Sequence, residues 1–446
     1  MKNLYRVKTA LFALTMLVSM ASRVDALDLL QAYEQARFYD AEYMTALSSY
    51  EAARLDLPLA QSANRPSLAA GLGLFYRDDT LNLEGRDKSQ TDSQQGEVTV
   101  DLNQNLYSRD INYDIDSAEY AVIIAQLQLG IANQDLIART VVIYLDVLAA
   151  LDNEHLADLE RTAIEQQLDL ATQRLEVGLG TTTDQYDARG RFEAANAELI
   201  AAQNEVINAQ QALEALMGQL FQASPRKEME TLDNDKVSWD LVAGDAWVDQ
   251  ALQRNLEYQI KQRQIDIQKI EIERSKAARV PRFGLVAGFR GADASETNVI
   301  PAGTNQNWLV GIQGSMPIYQ GGSIKLRQNR AGHAYNAASY EAEQARRDAD
   351  RLIRAARRGV ETFRRQVQAL KDTIVARKSA MEAKEEGFKA GVTTNLDVLN
   401  AQRDLFRSGR DYLRVSYDMV NAIVILERAA GELDGEDVVE INSWLK

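Results

Sequence analysis

Four short stretches of the chain alternate apolar and polar residues, and the long stretches after them repeat apolar residues at helical spacing. Leu68, Ala70, Leu72, Leu74 and Tyr76 share one side of the first short stretch. Val98, Val100, Leu102 and Leu106 share a side of the second, with Glu97, Thr99, Asp101 and Asn103 opposite. Phe283, Leu285, Ala287 and Phe289 do so in the third, and Trp308, Val310, Ile312, Met316 and Ile318 in the fourth. A period of two makes a strand with one apolar and one polar face. The pattern predicts strands at 66–76, 96–106, 282–290 and 308–318. The links, 77–95 and 290–307, are polar, with Asp78, Asp79, Glu84, Asp87 and Asp92 in one and Asp293, Glu296 and Asn298 in the other. Phe75, Tyr76, Tyr107, Phe289, Trp308 and Tyr319 fall near strand ends. That placement resembles the aromatic girdle of a membrane barrel. A soluble hairpin with one face on a core fits the same pattern.

Residues 110–177 hold no Pro and only Gly130. As one helix they would run roughly 100 Å at 1.5 Å per residue. Leu156, Leu159 and Ala163 form one apolar stripe there; Ile164, Leu168, Ala171 and Leu175 form another. Two stripes predict a helix flanked on both sides, as in a closed ring of helices. Partner helices are expected over 183–220 and 396–433.

The chain is written twice. Residues 174–220 align with 387–433 without a gap, pairing Gly178 with Gly391, Thr181 with Thr394, Asp184 with Asp397, Leu213 with Leu426 and Gly218 with Gly431. A fainter echo sets Arg65-Pro66-Ser67-Leu68 against Val280-Pro281-Arg282-Phe283. Each half reads helix, strand pair, long helix, break, helix. The expected organisation is a first repeat over 27–221, a polar connector over 222–246 and a second repeat over 247–446. Repeats of this kind stack to bury a shared core.

The first 26 residues read as an address. Lys2, Arg6 and Lys8 precede an apolar run from Ala10 to Met20, and Val24-Asp25-Ala26 offers small or branched residues at −3 and −1. This is the pattern of a secretory signal, and the apolar run is short of the ~20 residues that span a bilayer. Its removal takes the net charge from −15 to −18. An acidic chain is a poor generic nucleic-acid binder, because phosphate contacts need clustered Lys and Arg. There is no Cys, which excludes disulfides, thiolate metal sites, Cys nucleophiles and a Cys-linked lipid. His155 and His333 are the only histidines and lie far apart, both expected on solvated helix faces. Gly178-Leu179-Gly180-Thr181 lacks the Lys and the preceding strand of a phosphate loop. No catalytic, cofactor-binding or metal-binding residue is therefore expected, and the chain reads as no enzyme.

No later segment supplies a membrane helix, so the mature chain is either soluble outside the cytoplasm or crosses a membrane as strands. Open sheet edges in lipid leave backbone groups unpaired at several kcal/mol each. The smallest barrels have about eight strands, so four per chain demand self-association. Two copies give eight strands and three give twelve. The competing reading is a soluble periplasmic coiled-coil adaptor or structural protein.

Several stretches carry a resemblance. They are Leu27-Asp28-Leu29-Leu30-Gln31-Ala32-Tyr33, Arg174-Leu175-Glu176-Val177-Gly178, Met316-Pro317-Ile318-Tyr319-Gln320-Gly321-Gly322 and Gly391-Val392-Thr393-Thr394-Asn395-Leu396-Asp397-Val398-Leu399. Over nearly its whole mature length the chain resembles the outer-membrane efflux protein family, the TolC channel-tunnels, of the non-lipidated branch. The resemblance implies an α+β membrane protein: a homotrimer with a twelve-stranded β-barrel in outer-membrane lipid, continued by a long periplasmic α-helical barrel. It implies a conduit for small molecules, for proteins by type I secretion, or for both. A periplasmic adaptor and an inner-membrane ABC or proton-driven transporter would be its partners. The chain departs from the family pattern at Asn105-Leu106-Tyr107-Ser108-Arg109, which lacks the Pro and paired Gly of the other junction, and at Asp40-Ala41-Glu42, where the family often has a Pro.

The resemblance also points to a gate. The family's constricting aspartates match Asp397, with Asn400 at the position of a second acid, and Asp184 is the first repeat's counterpart. Thr183, Phe388 and Thr393 stand beside them, Phe388 and Thr393 where closed contacts are held. Read locally, Thr182 and Asn395 cap their helices and the acids sit in the first turn. Arg347, Arg351, Arg354, Arg358 and Arg365 form a basic stripe on the second long helix. It would either pair with acids such as Asp348, Asp350 and Glu361 or line the tunnel.

Overall fold

The computed structural model describes residues 27–81, 89–218, 232, 236–237, 245–294 and 303–445. The expected signal and most of the connector lie outside them. The helices are α1 (Leu29–Tyr39), α2 (Ala41–Arg54), α3 (Asp56–Ser62), α4 (Arg109–Glu176), α5 (Thr182–Met217), α6 (Asp245–Arg254), α7 (Leu256–Ala277), α8 (Ser323–Lys389), α9 (Asn395–Ala430) and α10 (Gly435–Ser443). The strands are β1 (Ser67–Leu81), β2 (Ser89–Tyr107), β3 (Arg282–Ala294) and β4 (Gly303–Ser315). The chain is an α+β protein with a repeated order of elements. Its two compact units each draw on both repeats. One gathers Met1–Ala46, Leu129–Leu256 and Arg346–Lys446, the other Leu47–Gln128 and Glu257–Ala345.

In the strand-bearing unit the four strands form one antiparallel sheet in the order β1-β2-β3-β4. The register lines up the apolar positions across all four. Leu68, Leu102, Ala287 and Val310 form one row, and Ala70, Val100, Phe289 and Trp308 the next. Phe289 and Trp308 pack with ring centroids 4.6 Å apart and their planes tilted by 48°. The other face carries the row Gly71, Thr99, Arg290 and Asn307, and Arg290 pairs with Glu97 at 2.8 Å. Among the described residues nothing covers the apolar face: Leu74 is 92% exposed and Val310 76%. β1 and β4 each carry a ladder on one side only.

The strands reach farther into the polar links than the alternation predicts. Pairing continues to Leu81↔Ser89 and to Ala294↔Gly303. Backbone ladders do not depend on side-chain polarity, and Thr80, Thr91 and Thr304 suit extended backbone. Of the polar residues singled out in the links, Glu84, Asp87, Glu296 and Asn298 lie outside the described residues. β4 stops at Ser315 rather than at 318, because Pro317 has no N–H to donate. β2 takes a bulge between Asn105 and Tyr107.

The two strand-to-helix junctions differ, as the missing Pro and Gly pair suggested. β2 passes into α4 across Ser108 alone. Residues 316–322 separate β4 from α8, with Gly321 and Gly322 at φ 56° and 83°, a left-handed backbone suited to glycine. Arg282 pairs with Asp110 at the first junction.

In the other unit α1 stops at Tyr39 without a Pro. Asp40 accepts from the Tyr43 N–H at 2.7 Å and from Arg139 at 2.9 Å. Leu136, Ile137, Tyr144, Leu145 and Leu148 of α4 are buried, as are Ile423 and Leu426 of α9. α1 packs on α5 and α10, and Asn442 of α10 accepts from the Leu29 N–H at 3.1 Å. Only one of the expected α4 stripes is buried within the chain. Ile164 and Ala171 pack with Ala188, Ala195 and Leu399, and with Leu168 and Phe192 at the edge. Leu159 of the other stripe is 44% exposed. The buried line instead runs Ala157, Glu160, Ile164, Gln167, Ala171, a three-and-four spacing that admits two polar residues.

Candidate functional site at the helix breaks

The two breaks repeat each other hydrogen bond by hydrogen bond. Gly178 and Gly391 take φ 75° and 76°. Gly178 N–H donates to the Leu175 carbonyl at 3.0 Å and Leu179 N–H to Arg174 at 2.8 Å. Gly391 N–H donates to Phe388 at 3.1 Å and Val392 N–H to Gly387 at 2.8 Å. These paired bonds close a helix through a left-handed residue.

The next helices open on capping boxes. The Thr181 side chain accepts from the Asp184 N–H at 3.1 Å, and Asp184 Oδ2 accepts from the Thr181 hydroxyl and N–H at 2.6 and 3.3 Å. Thr394 and Asp397 do the same at 3.2, 2.7 and 3.0 Å. The caps are thus Thr181 and Thr394, one residue before the expected Thr182 and Asn395, because an acid that closes a box stands at the third helical position. Thr394's hydroxyl and backbone N–H, and then Lys384 with its Nζ 3.9 Å from Asp397, hold the Asp397 carboxyl below the usual range.

Asn395 is freed from capping and only 2% exposed. It accepts from the Gln167 amide of α4 and donates to the Asp184 carbonyl at 3.5 Å. Asn400 accepts from Arg191 of α5 at 2.7 Å. The Arg174 guanidinium lies 4.4 Å from the Phe388 ring centroid. Thr393 donates to the Lys384 carbonyl at 3.0 Å. Thr183 is exposed on the first turn of α5. The structure therefore brings Asp184, Asn400 and Phe388 into contacts that join the first helix pair, α4 and α5, to the second, α8 and α9. Thr393 and Asp397 make contacts within the second pair.

Farther along, α4 and α9 share a polar seam. Glu160 pairs with Arg410, Asp152 accepts from the Tyr417 hydroxyl and Asp135 pairs with Arg428, each at 2.6 Å. Burial pushes the Asp152 carboxyl up, against the opposing pull of Tyr417 and His155, and pushes the Tyr417 phenol up as well. Sequence reasoning did not find Arg174, Gln167, Arg191 or this seam.

On the basic stripe, Arg351 pairs with Asp348 at 2.9 Å and Arg354 with Asp350 at 3.0 Å. Arg365 pairs with Glu361. Arg347 and Arg358 are exposed. Among the described residues no acid or imidazole group is arranged to hold a metal ion, and no helix is long and apolar enough to cross a membrane.

A family model described as "Outer membrane efflux protein" matches residues 29–219 and 247–432, one match per repeat. The chain is 28% identical over 440 residues to the outer membrane protein TolC of Vibrio cholerae, covering 98% of each. It is 26% identical to the alkaline protease secretion protein AprF of Pseudomonas aeruginosa, covering 93% of this chain and 86% of that one. A crystal structure of a membrane protein from Pseudomonas aeruginosa superposes with a TM-score of 0.77 at 23% identity, over 92% of this chain and 93% of that one.

Proposed function

The chain belongs to the outer membrane efflux protein family, and we propose that three copies of it form a single conduit from the periplasm to the outside of the cell. It is an outer-membrane channel-tunnel protein of the efflux and secretion type. The observation that carries the trimer is the sheet. An uncovered apolar face belongs against lipid, and two open edges in lipid must be paired. Four strands are too few to close on themselves, and three copies supply twelve.

The soluble adaptor reading fails on two findings: the family match spans both repeats, and the apolar rows run across all four strands. Residues 1–26 are the secretory signal, and residues 222–246 connect the repeats. The helical part stands in the periplasm. A periplasmic adaptor and an inner-membrane transporter, ABC-type or proton-driven, engage it there. Relatives named for efflux and for protease secretion support both small-molecule and type I protein export.

Native mass spectrometry of the detergent-extracted protein tests the assembly. A mass three times that of the mature chain is expected. A monodisperse monomer that still conducts across bilayers overturns it. Crosslinking in cells followed by co-purification identifies the adaptor and transporter.

A further inference from the structure

The seam between α4 and α9 is clamped by ion pairs at its ends, and three carboxylates line the cleft between them. Arg428 and Asp135 pair at one end, Arg410 and Glu160 at the other. This cleft has a volume of about 710 Å³, with α5 as its third wall. Each helix contributes one carboxylate and one amide: Asp146 and Asn153 from α4, Glu205 and Asn208 from α5, Asp418 and Asn421 from α9. Asn153 donates to Glu205 at 3.3 Å. The other charged or titratable side chains on the walls all come from α9. They are Arg410, already held by Glu160, with Arg414 and Tyr417, the last bonded to Asp152.

We propose that this cleft is a proton-sensitive joint. Ionised Asp146 is repelled by Asp418 and Glu205, which holds α9 off α4 and α5; when Asp146 takes up a proton, that repulsion ends and the seam closes. Like charges that share a site disfavour ionisation, and partial burial adds to the effect. Burial, then Asp418 and Glu205, push the Asp146 carboxyl up. Asp146 and Glu205 are exposed at the cleft mouth, so the repulsion is screened by salt. A carboxyl raised in the folded state contributes stability that is complete below its unfolded pKa and lost as pH rises through its folded pKa. The joint is therefore tighter in acid than at neutral pH.

The chain has no native cysteine, so two can be placed cleanly. Ile207 of α5 and Ile425 of α9 are both exposed. Nitroxides on Ile207→Cys and Ile425→Cys of the full chain in detergent report their separation by electron double resonance, at about pH 4 and about pH 8. The expected result is a shorter and narrower distance distribution in acid. With Asp146→Asn and Asp418→Asn added, the acid distribution is expected at both pH values. Circular dichroism checks that this variant folds; should it not fold, Glu205→Gln alone is expected to reduce the shift. A separation that is the same at both pH values, or a full shift kept in a folded neutralised variant, overturns the joint. Neither result bears on whether the protein conducts.

Discussion

The side-chain amide of Gln167, on α4, donates to Asn395, the first residue of α9, although 228 positions separate them. Gln167 is 8% exposed and Asn395 2%, so the bond is closed to water. Asn395 also reaches the carbonyl of Asp184, in the first turn of α5. One buried amide thus ties the end of one repeat's helix pair to the beginning of the other's.

Removing Asn395 leaves the Gln167 amide buried without this acceptor, and removing Gln167 leaves the Asn395 side-chain oxygen buried without this donor. Asn395→Ala and Gln167→Ala are each expected to cost about 1–3 kcal/mol. The double variant is expected to cost less than the sum of the two, since one interaction is lost once. Denaturant melts of the four proteins measure this. Strict additivity would mean that the two amides do not interact.

The capping boxes give a second expectation with a definite sign. Thr394→Ala removes a cap and is expected to destabilise α9 by about 0.5–2 kcal/mol. Asp397 titrates below the ordinary carboxylate range in the folded chain. Its contribution is therefore present above the unfolded pKa and lost as pH falls through the depressed value. Asp397→Asn should flatten the acid limb of a plot of melting temperature against pH. A limb that keeps its wild-type slope would remove Asp397 from the stability of the tip.

These residues also mark what the sequence reveals. The strands are legible because one apolar face imposes a period of two, and the apolar residues Leu68, Leu102, Ala287 and Val310 meet in one row. Strand ends are not, because Thr80 pairing with Gln90 is a matter of backbone hydrogen bonds and leaves no apolar mark. The breaks are legible from Gly178 and Gly391, which sit at the same left-handed φ. The cap is harder to place. Thr181, Thr182 and Thr183 are alike until the reach of Asp184 selects Thr181. Contacts such as Gln167 with Asn395, or Arg191 with Asn400, join positions hundreds of residues apart with no shared local pattern.

The basic stripe yields a third expectation. Arg351 and Arg365 hold acids three or four residues away on their own exposed helix surface, a contact that stabilises an isolated helix by about 0.2–0.5 kcal/mol. Exchanging Arg351 and Arg358 for Glu should change melting temperature little. If the stripe lines the tunnel, the same exchange should make single channels more cation-selective, because the lumen loses positive charge and gains negative. Reversal potentials in a salt gradient measure this. Unchanged selectivity would leave these arginines as surface ion-pair partners.

The last expectation concerns the aspartates as a group. In one chain Asp397 is bound by Thr394 and approached by Lys384, which keeps it ionised. In a threefold assembly, three copies of Asp397 with three of Asp184 would surround one axis. Their mutual repulsion would oppose the depression of Asp397 within each chain and would draw cations to the opening. Asn400 is neutral and engaged with Arg191, so it adds no charge to this ring. A cation-selective entrance is expected, blocked by multivalent cations, with the block weakening as pH falls through the carboxylate range. Asp397→Ala should reduce the block and raise conductance, and adding Asp184→Ala should reduce the block further. Planar-bilayer recordings with and without a trivalent cation measure both. Wild-type block and selectivity in the double variant would confine the two aspartates to capping their helices and would place the constriction elsewhere along the tunnel.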